Sequence, residues 1–292
     1  MMQYIMLVIS DILLAGNFAI SKVYQKKEGV SPAKGFKFNA LVGISTAVIF
    51  FIINGFKCEF TLFSFILATI MNILVMVYTV ISFNILKNGS MAQYTMFLMT
   101  GGMAVPYVWG LLFLDEDFSI LRTIALLIII VGIGFSNFTK SKTKTDTKQL
   151  LLCLSVFFIN GFVSVVSKLH QVEETFETVS ATEFIIIGNT SKFIIAGILF
   201  LLSRQKTEKQ ESAGRFGFVI AIGVISAIVS GSSYFIQLIA ASDLPATVLY
   251  PFITGGSIVL SSLAGWLIFK DKLSKQLVIG IICCFIGTVL FL

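Results

Sequence analysis

Ten apolar segments of about 20 residues each follow one another along this 292-residue chain, with short polar stretches between them. An α-helix of that length crosses the hydrocarbon core of a bilayer. Only 12% of the residues are charged and 57% are hydrophobic, which is unlike a water-soluble globule. The sequence therefore predicts an all-α integral membrane protein with ten transmembrane helices, near residues 4–24, 34–55, 62–85, 91–114, 119–138, 150–169, 181–203, 216–240, 245–269 and 275–292.

Short motifs recur between the two halves of the chain. Thr100-Gly101-Gly102 returns as Thr254-Gly255-Gly256, and Ser21-Lys22 returns as Ser167-Lys168. A shift of 155 residues aligns three further pairs, Gly110 with Gly265, Ser119 with Ser274 and Gly132 with Gly287. Such recurrence indicates a duplication. We predict a first five-helix repeat over 1–138, a basic linker over 139–149 and a second five-helix repeat over 150–292.

The number of helices in each repeat determines their relative orientation. Because five is odd, the second repeat enters the membrane from the side opposite the first, and the two repeats are predicted to be inverted. Inverted repeats allow two near-equivalent conformations, each open to one side of the membrane, with the binding site near the bilayer midplane. This geometry favours transport by alternating access.

Basic residues are distributed unevenly among the loops. The connections after segments 1, 3, 5, 7 and 9, with the adjoining helix starts, hold 16 of the 21 Lys and Arg residues. Because basic loops stay in the cytoplasm, we predict a multi-pass protein of the cell membrane with both termini outside. The net charge of +6 then belongs to loops that face anionic lipid, and no nucleic-acid partner is expected.

The two glycine motifs are the first candidates for a substrate site. Glycine lets helix backbones approach closely and frees carbonyl and amide groups, and the threonines add hydroxyls. The candidates are Thr100, Gly101, Gly102, Thr254, Gly255 and Gly256. Tight packing between helices explains the same residues without any substrate. The sequence leaves both explanations open.

Polar and aromatic residues in segments 1, 3 and 8 are expected to line a cavity, although hydrogen bonds between helices explain each of them equally well. The candidates are Asn17, Asn72, Tyr78, Ser233, Tyr234 and Gln237. Lys192 lies in the middle of segment 7. We expect it to face the interior, with Asp11 or a substrate carboxylate as its partner.

Three further charged residues are candidates for coupling transport to an ion. Asp11 is the one acidic residue well inside a predicted span, so it should face a cavity, be paired or carry a proton. Proton coupling suits each of these, and a structural hydrogen-bonded Asp is the alternative. Lys22 and Lys168 occupy matched positions near the ends of segments 1 and 6. Each is expected to attract an anionic group or to extend to the membrane interface.

Several of these residues resemble the EamA family of the drug/metabolite transporter superfamily. The stretch from Ala15 to Lys22 resembles the first-span pattern of that family. A second signature is similar at Val105-Pro106, Leu112-Phe113-Leu114-Asp115-Glu116 and Gly132. In the second copy the similarity continues at Leu244-Pro245-Ala246, Gly265, Lys270-Asp271-Lys272-Leu273-Ser274 and Gly287. Asp271 stands where the family usually has Glu, and Pro106 and Pro251 are not at equivalent positions.

The resemblance implies a ten-helix secondary carrier that exports small metabolites, often amino acids, sugars or drugs, without ATP. In the small multidrug resistance branch of the superfamily a first-span Glu couples transport to protons, and Asp11 has a similar position. The expected partners are thus a small-molecule substrate, membrane lipid and protons. A flippase or scramblase component for a lipid-linked head group, and a membrane scaffold, are the alternatives. The sequence does not choose between a monomer and a dimer.

The chain has no Gly-rich loop ending in Lys-Ser or Lys-Thr and no hydrolase motif. We therefore expect no enzyme activity, no catalytic residues and no cofactor. The single His and the four Cys lack the spacing of metal ligands, so no metal site is expected.

Overall fold

The computed structural model describes residues 2–29, 31–88, 91–136, 147–203, 213–270 and 274–291. These ranges form ten α-helices and contain no strand, which confirms the all-α prediction. Helix bounds lie within a few residues of the predicted ones. The helices are α1 (Met2–Glu28), α2 (Pro32–Ile53), α3 (Leu62–Asn88), α4 (Met91–Phe113), α5 (Ile120–Ser136), α6 (Thr147–Val172), α7 (Ala181–Ser203), α8 (Ala213–Asp243), α9 (Ala246–Phe269) and α10 (Lys275–Val289).

Most of these helices have the length and composition of membrane spans. Among the described residues, eight helices are long and apolar enough to cross a bilayer, while α5 and α10 are shorter apolar helices. Large apolar side chains such as Ile12, Leu127 and Phe285 point outward. Lipid is the solvent that suits such a surface. The chain is a multi-pass membrane protein. Within the predicted linker, residues 139–146 lie outside the described ranges and 147–149 belong to α6.

Local sequence signals explain where two of the helices begin. Ser31 caps α2 by accepting a 3.3 Å hydrogen bond from the Lys34 N–H, and Pro32 occupies the first helical turn. At the start of α7, Ser180 and Glu183 form a capping box. Glu183 Oε2 accepts from the Ser180 N–H at 3.0 Å, and the Glu183 N–H donates to Ser180 Oγ at 3.4 Å.

Two serines at recurring sequence positions play the same role in the two halves of the chain. Ser119 Oγ accepts from the Arg122 N–H at 3.4 Å at the start of α5. Ser274 Oγ accepts from the Leu277 N–H at 3.2 Å at the start of α10. Each serine therefore caps the fifth helix of its own half of the chain.

The preceding turns also match. Asp115 follows α4 with φ 50°, and Lys270 follows α9 with φ 55°. These residues are 155 positions apart, as are Ser119 and Ser274. The Lys270 N–H donates to Gly265 O and so ends α9, which is the usual task of a left-handed residue at a helix end.

The helices of the two halves make corresponding contacts. The main contacts made by a helix of the first half have counterparts made by the helix five positions later in the chain. The helix α1 packs on α8 and α9, and α6 packs on α3 and α4. In addition α2 packs on α7, and α5 packs on α10. The matched glycines Gly132 and Gly287 both lie in the α5–α10 contact. A Cβ on Gly132 would lie 2.9 Å from Cys283 Cβ, and one on Gly287 would lie 2.6 Å from Ile129 Cγ1.

The connections meet at two ends of the bundle. We call the end formed by α1–α2, α3–α4, α5–α6, α7–α8 and α9–α10 the basic end, because the described residues there include Lys26, Lys27, Lys34, Lys37, Lys148, Lys270 and Lys275. The Lys27 ammonium lies 3.8 Å from the Phe218 ring centroid and Lys22 lies 4.4 Å from that of Phe269. We call the opposite end the acidic end. There the Glu59 N–H donates to Glu183 Oε1 at 2.9 Å.

Candidate functional site

A cavity of about 380 Å³ lies among α1, α3, α4, α6, α8 and α9, and we call it the central cavity. Its lining runs from the middle of α1 and α4 toward the acidic ends of α6, α8 and α9, where it includes Ser167, Ala241 and Leu249. The volume falls within the range of small-molecule sites. Apolar residues form much of the lining, and the polar lining residues are Tyr78, Asn160, Ser164, Ser167, Tyr234, Gln237, Tyr250, Thr254 and Ser257.

Hydrogen bonds hold the aromatic residues of the central cavity in place. Tyr234 OH and Ser167 Oγ lie 2.8 Å apart, and Tyr250 OH donates to Ser164 O at 2.6 Å. These bonds join α6 to α8 and α9. Gln237 Nε2 donates to Ser10 Oγ at 2.9 Å, which joins α8 to α1. The rings and amides are thus preorganised before any ligand binds.

A proline in α4 explains one polar contact beside the central cavity. Pro106 has no N–H, so the Gly102 carbonyl four residues earlier has no helical donor at that position. Ser164 Oγ on α6 donates to this carbonyl at 3.1 Å. Asn160 Nδ2 on the same helix donates to Leu98 O at 2.8 Å. Both side chains therefore bond to the α4 backbone where the two helices line the cavity.

A second cavity of about 450 Å³ lies toward the basic end, among α1, α2, α3, α4, α7 and α8. We call it the basic-end cavity. It adjoins the central cavity, since consecutive residues line the two spaces: Asn17 and Phe18 on α1, and Thr79 and Tyr78 on α3. The lining is largely polar and includes Lys192 from the middle of α7.

The acidic end is held together by two charged residues. Lys168 Nζ donates to Ala241 O at 2.5 Å and to Leu244 O at 2.7 Å. Glu116 accepts from the N–H groups of Ala246 at 2.5 Å and Thr247 at 2.8 Å. Glu116 thereby satisfies donors at the first turn of α9. We call Lys168, Glu116 and the α8–α9 connection the acidic-end clasp. It lies on the other side of the central cavity from the basic-end cavity.

Asp11 is 1% exposed and lies where α1 packs on α9. A Cβ on Gly256 would lie 2.0 Å from Asp11 Oδ2, so the glycine leaves room for the carboxyl group. Asp11 Oδ1 has no hydrogen-bond partner among the described residues. The expected pairing with Lys192 is not formed, because Lys192 faces the basic-end cavity while Asp11 lies against α9.

The predicted site residues fall into three groups. Five line the central cavity, namely Tyr78, Gly102, Tyr234, Gln237 and Thr254. Asn17 and Lys192 line the basic-end cavity. The others line neither of these cavities and are Asp11, Lys22, Asn72, Thr100, Gly101, Lys168, Ser233, Gly255 and Gly256.

Several residues of the third group lie in contacts between helices. A Cβ on Gly101 would lie 2.0 Å from the Phe157 carbonyl oxygen, and one on Gly255 would lie 2.1 Å from Thr288 Oγ1. Asn72 Nδ2 donates to the Gly188 carbonyl oxygen on α7 at 2.9 Å. Ser233 Oγ donates to the Ser10 carbonyl oxygen on α1 at 2.9 Å. These geometries match the packing explanation that the sequence left open.

Three lining residues from α6 were absent from the sequence-based candidates. Asn160, Ser164 and Ser167 follow one another at spacings of four and three residues, which places them on one face of the helix. A polar face on an otherwise apolar membrane helix is the signal by which the sequence could have identified them. Tyr250 on α9 carried no comparable signal.

Comparisons with known proteins agree with a transport fold. The model of the EamA-like transporter family matches residues 147–292. The chain belongs to this family of membrane transporters. A solved crystal structure is similar with a TM-score of 0.75 at 13% identity, over 97% of this chain and 96% of that chain. At that identity the likeness shows the shared fold. The comparison with curated proteins finds no match.

Proposed function

We propose that this chain is a secondary active carrier for a small metabolite and that the central cavity holds the substrate. The observation that carries this proposal is a cavity of about 380 Å³ at mid-bundle in a member of a transporter family. Tyr78, Tyr234, Tyr250 and Gln237 supply aromatic faces and hydrogen-bonding groups to it. Apolar walls with a few fixed polar groups are the usual make-up of a small-molecule site.

Alternating access between two inverted repeats, over 1–138 and 150–292, is the mechanism we propose. The repeated helix pairing and the matched caps and turns support this arrangement. The clasp holds the acidic end closed while the second cavity extends toward the basic end. In the opposite conformation the clasp would release and the basic end would close. Two related packings of one duplicated bundle supply such states.

Export, proton coupling and topology complete the proposal. The basic end would face the cytoplasm, so a substrate would enter the basic-end cavity from there. Asp11 would carry the coupling proton, because a buried carboxyl group whose Oδ1 has no hydrogen-bond partner among the described residues becomes neutral when it binds a proton. Gly256 would preserve the space in which that group changes state.

The test is binding and transport by the purified full-length chain. Thermal unfolding in detergent would be followed with water-soluble amino acids, sugars, nucleosides, organic acids and cationic drugs. A ligand at 100 times its Kd should add about 2.7 kcal/mol to the free energy of unfolding. Each ligand that binds is then offered, radiolabelled, to proteoliposomes. Stabilisation by lipid-linked head groups alone would contradict the metabolite carrier and favour a flippase.

A matched pair of variants on α6 locates the site. Ser167→Ala removes the hydroxyl that lies 2.8 Å from Tyr234 OH in the central cavity. Ser155→Ala removes an exposed hydroxyl that donates to Leu151 O on its own helix. We expect Ser167→Ala to weaken substrate binding and Ser155→Ala to leave it unchanged. Equal affinities in the two variants would place the substrate elsewhere.

A further inference from the structure

Lys192 is a basic residue in the middle of a membrane-spanning helix, and it has no hydrogen-bond or ion-pair partner among the described residues. It lies on α7 and lines the basic-end cavity. Within the described parts of the chain, no carboxylate, carbonyl or aromatic ring contacts its ammonium group. An ammonium group held at this depth is costly unless something compensates its charge. A cavity of about 450 Å³ beside it leaves space for a compensating group that does not belong to the protein.

Neither cavity has an acidic side chain among its described lining residues. No Asp or Glu is among the described residues that line the central cavity or the basic-end cavity. A substrate with an ammonium group would therefore find no counter-charge in either space. A substrate with an anionic group would find Lys192. The charge of the lining thus disfavours cationic drugs and favours anions.

The remaining lining of the basic-end cavity indicates what the rest of the ligand carries. Thr79 and Ser230 each donate a hydrogen bond to a carbonyl of their own helix. Their oxygens therefore remain as acceptors for hydrogens on a ligand. Ser226 Oγ donates to Asn17 Oδ1 at 2.6 Å, which leaves the Asn17 amide hydrogens to donate. Such walls suit a polar molecule rich in hydroxyl or amide groups.

Positively charged residues surround the entrance to the basic-end cavity. Lys26, Lys27, Lys34 and Lys37 belong to α1 and α2 next to the α1–α2 connection, where Gln25 and Ser31 line the cavity. A cluster of positive charge around a cleft raises the local concentration of anions and their rate of entry.

We propose that Lys192 binds the anionic group of the substrate and that this carrier transports small hydroxylated organic anions, carboxylates or phosphate monoesters. The proposal rests on the carrier function proposed above. It narrows the substrate class to one charge type. The anionic group binds at Lys192, the polar body contacts the hydroxyl and amide walls, and the ligand proceeds into the adjoining central cavity.

The test uses ligands that share a skeleton and differ in charge. The full-length protein in detergent is titrated with gluconate, glucose 6-phosphate, glycerate and glycerol 3-phosphate. Glucose, glycerol and glucosamine are the neutral and cationic counterparts. We expect thermal stabilisation by at least one of the four anions and none by its counterparts. Absence of stabilisation by all four anions, or equal stabilisation by the counterparts, would overturn the proposal.

Three variants assign the effect to Lys192. Lys192→Met should weaken anion binding by about 30-fold or more, because it removes the charge facing the anion. Lys192→Arg should retain binding, and Lys148→Met, at an exposed position on the basic end, should match the wild type. Without ligand, Lys192→Met should unfold at a higher temperature than the wild type, since a half-buried charge with no partner among the described residues is gone. A lower unfolding temperature would show that Lys192 has a structural partner instead.

Transport separates this inference from the function on which it rests. If proteoliposomes transport a neutral or cationic compound and Lys192→Met transports it at the wild-type rate, the carrier function is supported and the anion site at Lys192 is contradicted. If anions bind at Lys192 but none crosses the membrane, the carrier function is contradicted.

Discussion

The Lys168 ammonium donates a 2.7 Å hydrogen bond to the carbonyl oxygen of Leu244 and so joins the end of α6 to the α8–α9 connection. Its counterpart in the first half, Lys22, lies over the Phe269 ring with 4.4 Å to the centroid. Two lysines at recurring sequence positions thus have different surroundings in one structure. The proposed alternating access between two halves requires such a difference.

Breaking the clasp should open the acidic end. Lys168→Met removes two charge-assisted hydrogen bonds, each worth about 1.5–3 kcal/mol. We expect a cysteine placed at Ser257 in the central cavity to react about tenfold faster or more with a maleimide applied at the acidic end. The four native cysteines are first replaced by alanine. Lys148→Met is the control, and equal rates in the two variants would contradict the role of the clasp.

Glu116 should stabilise the first turn of α9. Glu116→Gln removes the charge and one of two acceptors for the N–H groups of Ala246 and Thr247. We expect a loss of about 1–2 kcal/mol in the free energy of unfolding, measured by denaturant titration in detergent. Asp117→Asn changes the charge equally at an exposed neighbouring position and should have little effect. A similar loss in both variants would point to net charge alone.

Gly101→Ala should loosen the contact between α4 and α6 without altering the cavity. The added Cβ would lie 2.0 Å from the Phe157 carbonyl oxygen, so the two helices must separate. We expect a loss of about 1–3 kcal/mol in stability and unchanged substrate affinity in the folded fraction. Gly197→Ala has no atom within 4 Å of the new Cβ and should be neutral or stabilising. Weaker binding by Gly101→Ala at full stability would favour a direct substrate contact.

Asp11→Asn should uncouple transport from protons. Asn has nearly the same shape, fits beside Gly256 and cannot bind the proton. We expect substrate flux in proteoliposomes to become insensitive to an imposed pH gradient, while the wild type accelerates with the gradient. Glu174→Gln, at an exposed position after α6, is the control. A variant of Asp11 that keeps the full response to the gradient would remove Asp11 from the coupling mechanism.

The orientation in the membrane can be measured independently. With the basic end in the cytoplasm, both termini lie outside. A C-terminal reporter enzyme that is active only in the cytoplasm should stay silent, and its counterpart that is active only outside should work. The reverse pattern would invert the topology and with it the direction assigned to the two cavities.

Helix positions could be predicted from the sequence because hydropathy and capping residues act locally. Ser31, Ser180 and Ser274 mark helix starts by their own chemistry, and the structure places each as an N-terminal cap. The predicted end of α5, at residues 137–138, lies outside the described ranges. The end of α10 was predicted a few residues too late. Apolar residues continue beyond Val289, so composition alone did not show where that helix stops.

The cavity lining was less predictable because it depends on which helices meet. Gly102 and Gly101 are neighbours in a helix, and only the packing of α6 on α4 shows that the first faces the cavity while the second meets Phe157. The sequence places Lys192 in the middle of a predicted span, and in the structure its side chain lines the basic-end cavity. The sequence alone did not separate Lys192 from Asp11, since their distance is set by the tertiary fold.

The short helix α10 also affects the surrounding lipid. Its 15 residues, Lys275–Val289, span about 22 Å at the usual helical rise. The hydrocarbon layer of a typical bilayer is about 30 Å thick. We therefore expect the bilayer to thin beside α10, which favours neighbouring lipids with shorter acyl chains. Membrane thickness would then affect how easily α10 moves relative to the helices on which it packs.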